Sequence, residues 1–87
     1  MSERTIHVNF VMMNGDNLEI EVPDNMIVED ALEQLVGAGV TEPLGNQETW
    51  ALCFKESGKT IDIEKTMAEN GITEGVSVRV DRDGMAG

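Results

Sequence analysis

From Thr5 to Val11 apolar and polar residues alternate, with Ile6, Val8 and Phe10 on one face and His7 and Asn9 on the other. A period of two, rich in β-branched side chains, predicts a half-buried strand. Asn14-Gly15 follows at once; both positions tolerate positive φ, so a tight hairpin turn is expected. Leu18, Ile20 and Val22 then alternate with Glu19 and Glu21, and this second strand ends at Pro23, which has no N–H for a ladder. Between Val28 and Val36 the period changes. Val28, Ala31, Leu32 and Leu35 stand at i, i+3, i+4 and i+7, the apolar stripe of a helix. Asp24 or Asn25 is placed to cap its start, Glu29 and Asp30 suit the positive end of its dipole, and Gly37 and Gly39 supply the stop.

Past a loop through Pro43 and Gly45, Trp50 to Phe54 reads as a third strand, Ser57-Gly58 as a turn, and Thr60 to Ile63 as a short strand-like piece. Lys65 to Gly71 predicts one helical turn closed by glycine at positive φ, and Thr73-Glu74-Gly75 another turn. Val76, Val78 and Val80 alternate with Ser77 and Arg79 in the last strand. From Asp81 to Gly87 no period remains, so residues 81–87 are expected to be a flexible tail behind a domain of residues 1–80. The order is β-β-α-β-(β)-β. One helix covers only one face of a sheet, so a mixed sheet of four to five strands must curl around it. That is an α+β fold of the β-grasp type.

Composition narrows the partners. The chain has 87 residues, 40% of them hydrophobic but only 3% aromatic, so one aliphatic core is expected. Its single cysteine permits no internal disulfide and fits a reducing compartment. No stretch approaches the roughly 20 apolar residues of a membrane span, and Met1-Ser-Glu-Arg-Thr lacks a signal-peptide core. A cytoplasmic location is the expectation. Seventeen acids against six bases give a net charge of −11, which argues against nucleic acid, because phosphate binding needs clustered Lys and Arg. The acids are spread along the chain, as in a surface charge that keeps a small protein soluble and monomeric; the functional alternative is a partner with a basic surface.

Nothing in the chain reads as catalytic. There is one His and one Cys, with no HxxxH, CxxC, phosphate-binding glycine loop or nucleophile elbow, so neither an enzyme nor a cofactor is expected. His7 falls on the polar face of the first strand as a solvated surface residue. Cys53 lies between Leu52 and Phe54, and either register is open: the thiol points away from both or is buried in their place. No Asp-x-Asp-x-Asp-Gly loop suggests a metal. Met12 and Met13 flank the hairpin turn, where one must face away from the core and is available to a partner. Trp50 either anchors a partner or closes the end of the aliphatic core.

In element order and in two local patterns the chain resembles ubiquitin and its bacterial relatives. Leu18-Glu-Ile-Glu-Val22-Pro23 is similar to ubiquitin's second strand, and Thr66-Met67-Ala68-Glu69-Asn70-Gly71-Ile72 to the turn before its last strand. The resemblance implies a protein modifier whose C-terminal carboxylate, at Gly87, is adenylated and transferred by activating and conjugating enzymes to protein substrates. Gly84, Met85 and Ala86 would then form the slender tail that enters the activating enzyme. The ending here is Ala86-Gly87, where such modifiers usually end in Gly-Gly. The surface patch that ubiquitin offers to receptors maps near Met12 or Met13, Cys53, and Ser77 or Arg79, a more polar set. The alternative is a non-covalent adaptor or a component of a bacterial specialised secretion system.

Overall fold

The computed structural model describes residues 4–45 and 48–84. Five strands, β1 (Thr5–Val11), β2 (Asn17–Pro23), β3 (Glu48–Phe54), β4 (Thr60–Ile61) and β5 (Val76–Gly84), and one helix, α1 (Val28–Gly37), follow the expected order. The strands make one sheet in the order β2-β1-β5-β3-β4. β1 and β5 run parallel and every other pair antiparallel. Val28, Ala31, Leu32 and Leu35 of α1 pack into one core with Ile6, Val8, Phe10, Val22, Leu52, Val78 and Val80. The sheet therefore wraps the helix on one side, as the alternation requires, and the fold is the α+β β-grasp.

Local chemistry explains where elements end. Glycine stops α1 as expected: Gly39 takes φ 79°, its amide donates to Val36 O, and the Val40 amide donates to Leu35 O. At the hairpin the turn sits one residue earlier than expected. The Gly15 amide donates to Met12 O and the Met12 amide to Asp16 O, so Met13-Asn14 form the corner and Gly15, at φ 93°, takes the bulge.

The start of α1 departs from expectation. Ile27, in extended conformation and without a side-chain cap, precedes the helix in place of Asp24 or Asn25. The first amides are satisfied from a distant loop: Val28 N–H donates to Lys65 O and Glu29 N–H to Ile63 O, both at 3.0 Å. That loop is itself closely stitched. Thr66 and Glu69 bond reciprocally to each other's amides at 3.0 and 3.1 Å, a capping box around the 3-10 turn Ala68–Asn70. Gly71 closes the turn at φ 78°, and Met67 beneath it is fully buried.

The same diversion sets the length of β4. Its pairing with β3 covers Leu52↔Ile61 and Cys53↔Thr60 only. Two residues further, Ile63 would lie opposite Trp50, but the Ile63 carbonyl is committed to α1. Ile63 therefore leaves the ladder that its sequence pattern suggested.

β5 corrects the domain boundary. It pairs with all of β3, from Phe54↔Val78 to Glu48↔Gly84, so residues 81–84, expected at the start of a flexible tail, are strand. Arg82 explains the difference. It takes the inward position that an apolar residue would hold, stacks its guanidinium 5.1 Å from the Trp50 ring, and donates to the carbonyls of Pro43 and Glu42 and the Thr41 hydroxyl. A polar residue in the sequence thus continues the inward face. Met85, Ala86 and Gly87 lie outside the described residues.

Candidate interaction surface

Alternation along β1, β5 and β3 builds the face of the sheet opposite α1. Register sets its rows: Val11 beside Arg79 beside Cys53, Asp81 beside Ala51, and Asp83 beside Thr49. In the row below Val11, Asn9 Nδ2 donates to the Ser77 hydroxyl at 3.3 Å. Arg79 is exposed, and Val11, Ser77 and Cys53 are half-buried. Met13 at the hairpin tip is the most open large apolar residue among those described, at 56%, with Val40 next at 41%. Val11, Met13, Lys55, Arg79 and Asp81 share a shallow concavity beside the hairpin. A small apolar centre that carries two cations, Lys55 and Arg79, beside the single acid Asp81 can dock a folded partner.

The residues singled out from the sequence divide cleanly. Met13 and Cys53 reach the accessible face. Met12 and Trp50 turn their side chains inward, with 8% and 6% of their surfaces exposed, so neither presents a side-chain anchor. The alternation of β3 explains both: with Trp50 and Leu52 buried, Cys53 must point outward. Gly84 is the last residue of β5, opposite Glu48. Met85, Ala86 and the expected conjugation residue Gly87 fall outside the described residues. Among the described residues no group of three or more His, Cys, Asp or Glu could hold a metal ion, and no helix is long and apolar enough to cross a membrane.

His7 is more engaged than a merely solvated histidine. Its Nδ1 lies 2.9 Å from Glu74 Oε2, its own amide donates to Glu74 Oε1 at 2.9 Å, and its Nε2 lies 3.6 Å from Glu21 Oε2. The hydrogen bond to Glu74, with its charge, raises the His7 pKa above the ordinary histidine value. The His7 amide holds the Glu74 carboxyl below its ordinary range. The partners stand 67 residues apart, so only the parallel β1–β5 pairing, invisible in local patterning, brings them together.

No protein-family model matches the chain, and no curated protein is significantly similar to it. Solved structures are. A de novo protein designed on ubiquitin matches with TM-score 0.73 at 18% identity, over 94% of this chain and 93% of that one. The N-terminal ubiquitin-like domain of the 4931431F19Rik protein matches with TM-score 0.70 at 22% identity, over 99% and 82%. The UBL domain of Plasmodium falciparum Dsk2 matches with TM-score 0.69 at 18% identity, over 92% and 100%. At these identities the likeness shows the fold: the chain has the ubiquitin-like β-grasp.

Proposed function

We propose that this protein is a non-covalent ubiquitin-like interaction domain that binds a folded partner through the outer face of its sheet. One observation carries the reading: β5 stays paired to Gly84, with Arg82 held inside by the loop at residues 41–43. Conjugation needs an extended run before the terminal glycine that threads into an activating enzyme. Here residues 81–84 belong to the ladder, so the described residues lend conjugation through Gly87 no support. Two of the matched structures are likewise ubiquitin-like domains, one of them the N-terminal domain of its protein. The row Val11–Arg79–Cys53, with Met13 at its rim, is the accessible place on this sheet where apolar surface and positive charge meet. It overlaps the region where ubiquitin's receptor patch was expected to map.

The test is a parallel purification of the N-terminally tagged chain from its host under denaturing and native conditions. The denatured sample is expected to yield no branched tryptic peptide carrying Asp83-Gly84-Met85-Ala86-Gly87 on a target side chain. The native sample is expected to hold a protein partner that survives deletion of residues 85–87 and is lost with Arg79→Glu. Branched peptides that vanish when Gly87 is deleted would replace this reading with covalent modification.

A further inference from the structure

The early departure of β4 leaves part of β3 without a neighbour. Cys53 and Ala51 exchange backbone bonds with β5, as the Lys55 amide bonded to Ser77 O shows by alternation. Phe54 faces the other way, toward Lys59 and Gly58, and by the same alternation so do Leu52, Trp50 and Glu48. Ile61 covers Leu52, and Gly45 O accepts the Glu48 amide. Among the described residues nothing pairs with the main chain of Trp50 on that side, because Ile63 has turned away to α1. An unpaired inner stretch of strand is a template for another strand.

The space beside it is an open groove of about 710 Å³. Its two walls differ. On the outer face stand Thr49 and Ala51, with the carboxylates of Asp81 and Asp83 across from them. On the helix side stand Ile61 and Ile63, flanked by Glu29 and Glu64. No Lys or Arg lines the groove. From these features the geometry points to β-strand addition at the open edge of β3 by an extended partner segment in which basic residues alternate with aliphatic ones. The main chain bonds to Trp50. Lysine or arginine side chains lie along the outer face toward Asp81 and Asp83, and aliphatic side chains fill the space over Ile61 and Ile63. A second copy of this chain fits poorly: each carries a net charge of −11, and edge-to-edge pairing would place acids against acids. Cys53 borders both this groove and the row Val11–Arg79–Cys53, and Asp81 lines both concavities, but the proposed backbone bonds are to Trp50, so Arg79→Glu separates this reading from the outer-face one.

The probe is the blocked heptapeptide Lys-Val-Lys-Val-Lys-Val-Lys, titrated into the full chain at moderate ionic strength. Binding is followed by amide chemical shifts and by the fluorescence of Trp50, the single tryptophan. Shifts are expected to concentrate at Glu48–Leu52, with slowed exchange of the Trp50 amide. N-methylation of every second peptide residue, in the phase that faces β3, is expected to weaken binding about tenfold or more. The double variant Asp81→Asn/Asp83→Asn, which keeps a side-chain oxygen at position 81 for the Arg82 amide, is expected to weaken it about three- to tenfold. Glu19→Gln/Glu21→Gln on the far edge and Arg79→Glu on the outer face are expected to leave peptide binding in place. No binding up to about 5 mM, equal binding by the methylated peptide, or shifts centred on β2 would each overturn the proposal. So would Trp50-amide shifts that grow with protein concentration alone, which would give the edge to a second copy.

Discussion

The two ends of β5 are fastened by opposite means. At its start Glu74 reaches across to both the amide and the ring of His7, in the open, with side chains 64% and 44% exposed. At its end Arg82 is drawn inside, with only 13% of its side chain exposed, and its charge is met mainly by neutral oxygens of the 41–43 loop. Glu48 adds a carboxylate at 3.7 Å, while Nε finds no hydrogen-bond partner among the described residues. A surface ion pair contributes little and depends on pH and salt. A buried guanidinium that bonds several oxygens and packs on a tryptophan contributes more. The function proposed for this sheet rests on the second kind of fastening, because it makes strand of what the sequence presents as tail.

The largest effect is expected at Asp81. Its position in the ladder places its amide opposite Ala51, so Asp81→Pro removes a mid-sheet bond and should cost about 3 kcal/mol. Chemical denaturation measures this, and a silent substitution would mean that residues 81–84 are free after all. Next is Arg82→Ala, which strips the loop carbonyls of their donor and uncovers one face of Trp50. A loss of about 2–3 kcal/mol is expected, read as a fall in Tm of about 10–20 °C, with a red shift of Trp50 emission. Arg82→Lys keeps the charge and loses the fork. It should recover part of the difference and remain about 1–2 kcal/mol below the parent.

Much of the fold is legible in period alone. Strands β1 and β2, the helix stripe and the glycine stops fall where hydrophobic spacing puts them. Apart from the one-residue offset of the hairpin turn, what is not legible shares one cause: partners distant in sequence. Ile63 and Lys65 cap a helix more than thirty positions upstream, so the cap resides in carbonyls that no side-chain pattern advertises, and β4 shortens as a result. Arg82 looks like the end of an alternating strand because its inward place depends on loop oxygens 39 to 41 residues away. Of the candidate surface, Met13 and Cys53 were readable, since alternation leaves them outward once their neighbours are buried. Arg79 was one of two options beside Ser77, and Val11 joined it at the centre only when the parallel β1–β5 pairing set them side by side.

The smallest expected effect separates the two ends of β5 most clearly, because only one of them depends on pH. The Glu74 pair raises the His7 pKa in the folded chain, so its stabilisation is full below the unfolded histidine value near 6.5 and fades as pH rises through the raised folded one. Glu74 is held below its ordinary range, so its part is present above the unfolded carboxylate value and is lost as pH falls through the depressed one. The clasp at the start of β5 therefore works best between the two, in mildly acidic solution. Glu74→Gln should lower Tm most there and least above pH 8, while Arg82→Ala should lower it by the same amount across the range. Thermal melts of the parent and both variants from pH 5 to pH 8.5 decide it. A Glu74→Gln deficit that stays flat with pH would show that the carboxylate acts on the His7 amide alone, and that the imidazole contributes nothing to holding β1 against β5.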